Sequence, residues 1–337
     1  MRTNRIVFTP SAMRFALSLV GAVLFAPCLS ASAQQPKKIP RVGFLAVLPS
    51  QAIATRVEAL RQGLRDLGYV EGGNITFEWR YADGNVDRVP GLAAELVRLK
   101  VEVIVTGGPA ATHSAKEATS TTPIVMAFDS DPVSSGFVAS LARPGGNVTG
   151  LSSLAPEMSG KQLELVKDII PRLSGVAVLG NSIEPANAQA LRETELAAGA
   201  FGVRLQYLDV RSPKEIEAAF QAASKGRADA LIVLRNPLPG AERTRIVQLA
   251  AKSRLPAIYS NAEYLDAGGL LFYGPNSADL YRRAAVYVDK ILKGTKPADL
   301  PVEQPKKFEF IINVKAAKQI GLTIPPNVLA RADRVIR

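Results

Sequence analysis

The chain has 337 residues, 47% of them hydrophobic and 21% charged, and carries a formal net charge of +11. That length suits about two domains, and the composition excludes disordered and multispanning membrane classes. A basic chain invites a nucleic-acid reading, but the charges are scattered singly along helical stretches with no dense basic block, so no nucleic-acid partner is expected.

At the N-terminus Arg2, Arg5 and Arg14 precede an apolar run from Phe15 to Leu29, followed by Ala31-Ser32-Ala33. A basic start, an apolar segment and small residues before a cut after Ala33 form an export signal, so residues 1–33 are expected to be removed and the protein to be periplasmic. The run contains Pro27 and is shorter than a spanning helix needs, which leaves an uncleaved anchor as the lesser alternative. The single cysteine, Cys28, lies inside the signal, and Pro27 before it fits lipid attachment poorly. A mature chain without cysteine has no disulfide, thiolate nucleophile or Cys-based metal site.

Beyond residue 40 short apolar runs alternate with helical patterns. VGFLAVL (42–48) reads as a buried strand, and 54–69 as a helix with Val57, Leu60, Leu64 and Leu67 on one face. NITFEWRYA (74–82) alternates as a half-buried strand with Ile75, Phe77 and Trp79 on one side. A helix over 90–100, a strand over 101–108 running into glycines, a short helix over 111–120 and a strand over 123–129 follow. Residues 131–143 read as the last helix of this array, with Asp131 and Pro132 at its start and Arg143-Pro144-Gly145-Gly146 at its end. The pattern then repeats, with strands at 175–181, 203–210, 228–236 and 255–261 and helices near 185–200, 213–225 and 241–253. A long helix over 277–294 carries the stripe Leu280, Ala284, Tyr287, Val288 and Ile291, with Ser277 suited to its N-cap and Gly294 to its end. One more strand (308–314) and two short helices around Pro325-Pro326 close the chain. The fold class is α/β, with two parallel sheets covered by helices.

The strings RVGFL, RDLGYVEG, VTGGPAAT, DPVSSGFVASLARPGGNVTG, YGPNSADLYRRAAVYVDKILKGTKPADLPVEQP and GLTIPP occur in this order from about residue 40 to 337. In order and spacing they resemble the substrate-binding proteins of ABC importers in the group of tryptophan/tyrosine-type binding proteins. The resemblance implies a type I periplasmic-binding-protein fold, two Rossmann-like lobes joined by three crossings. Lobe one would be 40–148 plus 276–304 and lobe two 152–272 plus 308–337. The crossings would fall near Asn147–Ser153, Phe272–Asn276 and Pro301–Phe308. It also implies hinge closure on a small ligand, such as an amino acid or aromatic carboxylate, and delivery to an ABC permease by a protein expected to be a monomer.

Ligands of open α/β lobes collect beyond the carboxyl ends of the strands, where helix N-termini offer unpaired N–H groups. In the Gly107–Thr112 turn this selects Gly108, Ala110, Ala111 and Thr112 as an anion site, a plain strand-to-helix turn being the alternative. Ser50 holds the same place after the first strand, as ligand contact or as N-cap. Asp129 and Asp131 could receive an ammonium group, although Asp131 also suits a cap. From the second array come Asn181, Asn236, Tyr259, Ser260 and Asn261, with Glu263 just beyond. Tyr259, Tyr264 and Tyr273 are candidate stacking rings, while packing is the commoner role of such aromatics.

Enzyme readings lack parts. His113 is the only histidine, so neither a Ser-His pair nor a multi-His metal site can be built, and no dinucleotide or P-loop string follows a strand. No catalytic residue, metal or cofactor is expected. A ligand-sensing module for a membrane receptor or kinase would share every cleft residue and is the alternative to an importer component. A secreted hydrolase or isomerase would need a nucleophile–base pair that the sequence does not offer.

Overall fold

The computed structural model describes residues 39–153, 158–306 and 308–337. The expected export signal with Cys28 lies outside them. The first array builds β1 (Arg41–Ala46), α1 (Ala54–Asp66), β2 (Thr76–Tyr81), α2 (Val89–Arg98), β3 (Val103–Thr106), α3 (Pro109–Ala118), β4 (Ile124–Asp129) and β5 (Val148–Ser152). The strands form one five-stranded sheet in the order β2-β1-β3-β4-β5, every neighbouring pair parallel. A parallel sheet needs cover on both faces, which is why β1, β3 and β4 are apolar in succession rather than alternating. Val42, Phe44, Val103, Val105 and Val125 face α1 on one side. Leu45, Ile104, Ile124 and Met126 meet α2 and α3 on the other.

The second array supplies α4 (Met158–Ile169), β6 (Gly175–Gly180), α5 (Pro185–Phe201), β7 (Arg204–Asp209), α6 (Ile216–Lys225), β8 (Ala230–Val233), α7 (Pro237–Ala241), α8 (Arg243–Lys252), β9 (Ala257–Tyr259), α9 (Glu263–Asp266) and β10 (Leu271–Pro275). After α10 (Ser277–Leu292) come β11 (Phe308–Asn313), α11 (Val314–Gln319), α12 (Pro326–Leu329) and β12 (Arg334–Ile336). The second sheet has seven strands in the order β12-β11-β10-β9-β8-β6-β7. It is not wholly parallel: β11 runs antiparallel to β10, because the chain re-enters this lobe from the opposite direction after its excursion through α10.

That excursion joins α10 to the first sheet. Leu280, Tyr281, Ala284, Tyr287, Val288 and Ile291 are buried with Phe44, Leu60 and Val105 in one core. The helix is capped by Asn276 rather than Ser277: the Asn276 side chain accepts from the Asp279 N–H at 2.9 Å, while Ser277 is buried in the first turn. The chain thus passes between the two sheets after β5, after β10 and before β11. The first and third passages touch, since Ser152 N–H donates to the Glu303 carbonyl and Glu303 N–H to that of Gly150.

Residues 131–143 form turns, not a helix. Asp131 accepts from Ser134 N–H at 3.0 Å, which starts a single turn. Gly136 then takes φ = 68°, and the N–H groups of Phe137 and Val138 both return to the Pro132 carbonyl. The pull of Phe137 and Val138 into the core under α3 outweighs continuation of the helix.

α1 and α10 lie close together at Gly63, where an added Cβ would lie 2.4 Å from the Arg282 carbonyl oxygen and 2.8 Å from the Ala285 Cβ. Gly63→Ala gains about 1 kcal/mol of helix propensity but forces the two helices apart. We expect a net loss of about 1–2 kcal/mol in urea unfolding, and an unchanged or raised midpoint would show that the two helices are not held at this distance.

Candidate functional site

The carboxyl ends of β1, β3, β4, β6, β8 and β9 all give onto one pocket between the lobes. Lobe one contributes Val47, Leu48, Arg56, Gly107, Gly108, Pro109, Ala110, Phe128 and Ser130, and lobe two contributes Glu184, Arg235, Asn236 and Asn261. The lobe-one wall is largely apolar, whereas the lobe-two wall is polar and charged.

Two arginines make contacts across the cleft. Arg56, in the first turn of α1, forms an ion pair with Glu263 in α9. Both side chains are buried, at 5% and 17% exposure, so the pair is shielded from solvent screening. Burial alone would raise the Glu263 carboxyl, but the charge and hydrogen bond of Arg56 hold it down to about 2. The second contact is Arg235, whose guanidinium lies 4.0 Å from the centroid of Phe128 and donates to the Ser260 carbonyl. Its Nε is buried and has no hydrogen-bond partner among the described residues. Burial, and then repulsion from Arg56, lower Arg235 to about 9.

The turn after β3 has two glycines with different reasons. At Gly107 a side chain would meet the Tyr281 hydroxyl at 2.8 Å and Ala46 at 3.2 Å, so the residue is small because α10 and β1 close on it. Gly108 has open space where a Cβ would sit, and its φ of 147° is what only glycine adopts readily. The turn delivers α3 with its first N–H groups towards the pocket, and Gly108 and Ala110 are on the wall.

The residues expected from sequence therefore separate into two groups. Gly108, Ala110, Asn236 and Asn261 come together on the pocket wall. The others lie off it. Ala111 is packed in the lobe-one core, and Thr112 spends its hydroxyl on the Gly108 carbonyl and on Thr106. Ser50 opens a single 3-10 turn without capping it. Asp131 holds its own turn. Asn181 accepts from Ile183 N–H in a local turn, and Ser260 donates to the Val233 carbonyl. Tyr259 stacks on Tyr264 at 4.4 Å in the lobe-two core, and Tyr273 stacks on Phe308 at 6.1 Å. None of these rings is on the wall.

Asp129 is the clearest departure. On β4 the side chains alternate, so Phe128 and Ser130 face the pocket and Asp129 faces into lobe one. It is fully buried, and among the described residues neither carboxylate oxygen has a hydrogen-bond partner. Burial pushes its carboxyl up to about 7, so the folded protein favours the neutral acid where the unfolded chain ionises.

Sequence reasoning missed Arg56, Phe128, Glu184 and Arg235. Arg56 was open to detection: it lies four residues before Leu60 and so shares the buried face of α1, and a cation in a helix's first turn opposes the helix dipole. Arg235 comes two residues after the apolar strand β8, following a buried Leu234, a place where a charge needs a reason. Glu184 carries no such signal.

Two pH and stability outcomes follow. Replacing Arg56 with Met leaves Glu263 buried without its cation, an expected loss of about 3–5 kcal/mol at pH 7; a urea midpoint within experimental error of wild type would refute the latch. The pair's contribution is present above about pH 4.5, the ordinary Glu value, and fades as pH falls towards about 2. Asp129 acts in the other direction, because its folded-state value lies above the ordinary 3.8. Its contribution declines as pH rises through about 7. Asp129→Asn should therefore flatten the loss of stability between pH 5 and pH 8, as read by urea midpoints at the two values.

Comparison with known proteins agrees with this architecture. The ABC transporter substrate binding protein family matches residues 41–336. The chain is 25% identical over 286 residues to the tyrosine-binding protein of Clostridioides difficile (strain R20291), covering 85% of this chain and 82% of that one. Two solved structures superpose on it closely. A conserved domain protein from Vibrio cholerae O1 biovar El Tor has a TM-score of 0.83 at 30% identity, covering 88% of this chain and 100% of that one. The ABC domain from Streptococcus pneumoniae in complex with L-Trp has a TM-score of 0.82 at 26% identity, covering 88% and 99%. The type I binding-protein fold and the match along nearly all of the described residues lead to one conclusion: this chain belongs to the ABC transporter substrate-binding protein family.

Proposed function

We propose that the protein is the exported solute-binding component of an ABC importer, that it closes on a small amino acid or aromatic carboxylate, and that it hands this ligand to a permease at the inner membrane. The observation that carries the reading is the unmet hydrogen-bonding capacity of Arg235, Asn236 and Asn261 on the wall of one interlobe pocket. Each buried donor or acceptor left unpaired costs about 1–3 kcal/mol, which a polar ligand recovers on binding. The tyrosine and L-tryptophan bound by similar proteins support an amino acid as the class.

In this reading the moving bodies are 40–148 with 276–304 and 152–272 with 308–337, hinged near Asn147–Ser153, Phe272–Asn276 and Pro301–Phe308. The protein is a monomeric binder, not an enzyme, and has no nucleic-acid partner. Among the described residues neither histidine nor lysine lines the pocket to serve as a base. Location outside the cytoplasm rests on removal of residues 1–33; among the described residues no helix is long and apolar enough to cross a membrane.

The test is calorimetric titration of the mature protein with amino acids, aromatic acids and sugars, alongside small-angle scattering. At least one amino acid or aromatic acid is expected to bind and to reduce the radius of gyration. Binding by none of them sinks the ligand class, and binding without compaction sinks the clamp.

A further inference from the structure

The lobe-two wall offers a sharper reading of the same pocket, one that rests on the proposed function. Four polar groups meet there from three strand ends. Asn236 is only 5% exposed, and its Oδ1 already accepts from Leu238 N–H at 2.8 Å, so the amide orientation is fixed and Nδ2 is the atom without a partner. Beside it, the buried Nε of Arg235 is a second unmet donor, held in place by Phe128 on one face and the Ser260 carbonyl at one end. Across the wall Asn261, 6% exposed, presents an unmet acceptor, Oδ1. Glu184 also lines the pocket, and although it stands at the N-cap position of α5 its side chain does not cap that helix.

We propose that lobe two holds the charged end of an α-amino acid: Arg235 Nε and Asn236 Nδ2 donate to its carboxylate, while Glu184 and Asn261 Oδ1 accept from its ammonium group. The pairing matches donors to an acceptor-only group and acceptors to a donor-only group. Arg56 is excluded as the carboxylate anchor because Glu263 already neutralises it. The lobe-one wall, with Val47, Leu48, Pro109 and Phe128, is left to cover the ligand's side chain. Lobe two therefore recognises what all amino acids share, and lobe one selects among them on closing.

Matched ligands separate these roles. L-tryptophan, indolepropionate and tryptamine share one ring system and differ in the ammonium and carboxylate groups; L-phenylalanine, hydrocinnamate and phenethylamine form a second set. Wild type should bind the amino acid of a set at least about tenfold more tightly than either truncated partner. Glu184→Gln should weaken the amino acid on the order of tenfold to a hundredfold and leave the deaminated acid unchanged. Arg235→Gln should weaken amino acid and acid alike and spare the amine. If Arg235→Gln does not fold, Arg235→Lys, which keeps the charge but lacks the Nε–H, should give the same pattern. Equal losses for all three ligands in either variant overturn the assignment, as does a wild type that binds the deaminated acid as tightly as the amino acid. If no amino acid binds wild type, the ligand class of the proposed function falls too; if amino acids bind and compact the protein but the variants do not discriminate, only this assignment falls.

Discussion

The buried ion pair between Arg56 and Glu263 is the constraint on which the geometry of the cleft depends. It ties the first turn of α1 in lobe one to α9 in lobe two, and a charge pair withdrawn from water tolerates little separation. It also divides the space between the lobes. On one side lies the pocket with Phe128 and Arg235; on the other lies a polar recess bounded by Thr55, Asp266, Asn276, Glu309 and Asp333, with Arg56 on the walls of both. Arg56 thus forms part of the partition between the pocket and this recess.

Charge is distributed unevenly across that pocket. Arg56 and Glu263 cancel, which leaves Arg235 as the wall's unneutralised cation and Glu184 as its uncommitted carboxylate, both on lobe two. Arg235 resting on Phe128 offsets part of its desolvation cost through a cation–π contact with the opposite lobe. Phe128 and Arg235 stand on opposite walls of the pocket, so this contact joins the two lobes.

Much of the architecture could be read from the chain because parallel strands buried on both faces are apolar in unbroken runs, and β1, β3, β4, β6 and β8 all are. The long helix at 277–292 was legible for the complementary reason, a single apolar stripe. Residues 131–143 were not, since a proline, a glycine and two phenylalanine- and valine-driven core contacts decide that segment through tertiary packing rather than local preference. The strand-end rule found Asn236, Asn261, Gly108 and Ala110, yet it also chose Tyr259, Ser260 and Asp129. A rule about which end of a sheet faces the ligand says nothing of which way each side chain points, and the strand pleat sends alternate residues into the lobe.

The place of α10 has a consequence for how the chain becomes a protein. Lobe one contains β1 to β5 from the first 152 residues, but one wall of its core is Leu280, Tyr281, Ala284, Val288 and Ile291. Until the ribosome has passed residue 292, the apolar face presented by Phe44, Val103 and Val105 has no α10 to cover it. Lobe two, with the strand pair β10 and β11 on either side of that helix, is likewise open until near the end of synthesis. Neither lobe can complete its core from its own early strands, so each depends on chain beyond residue 271 to close its apolar face.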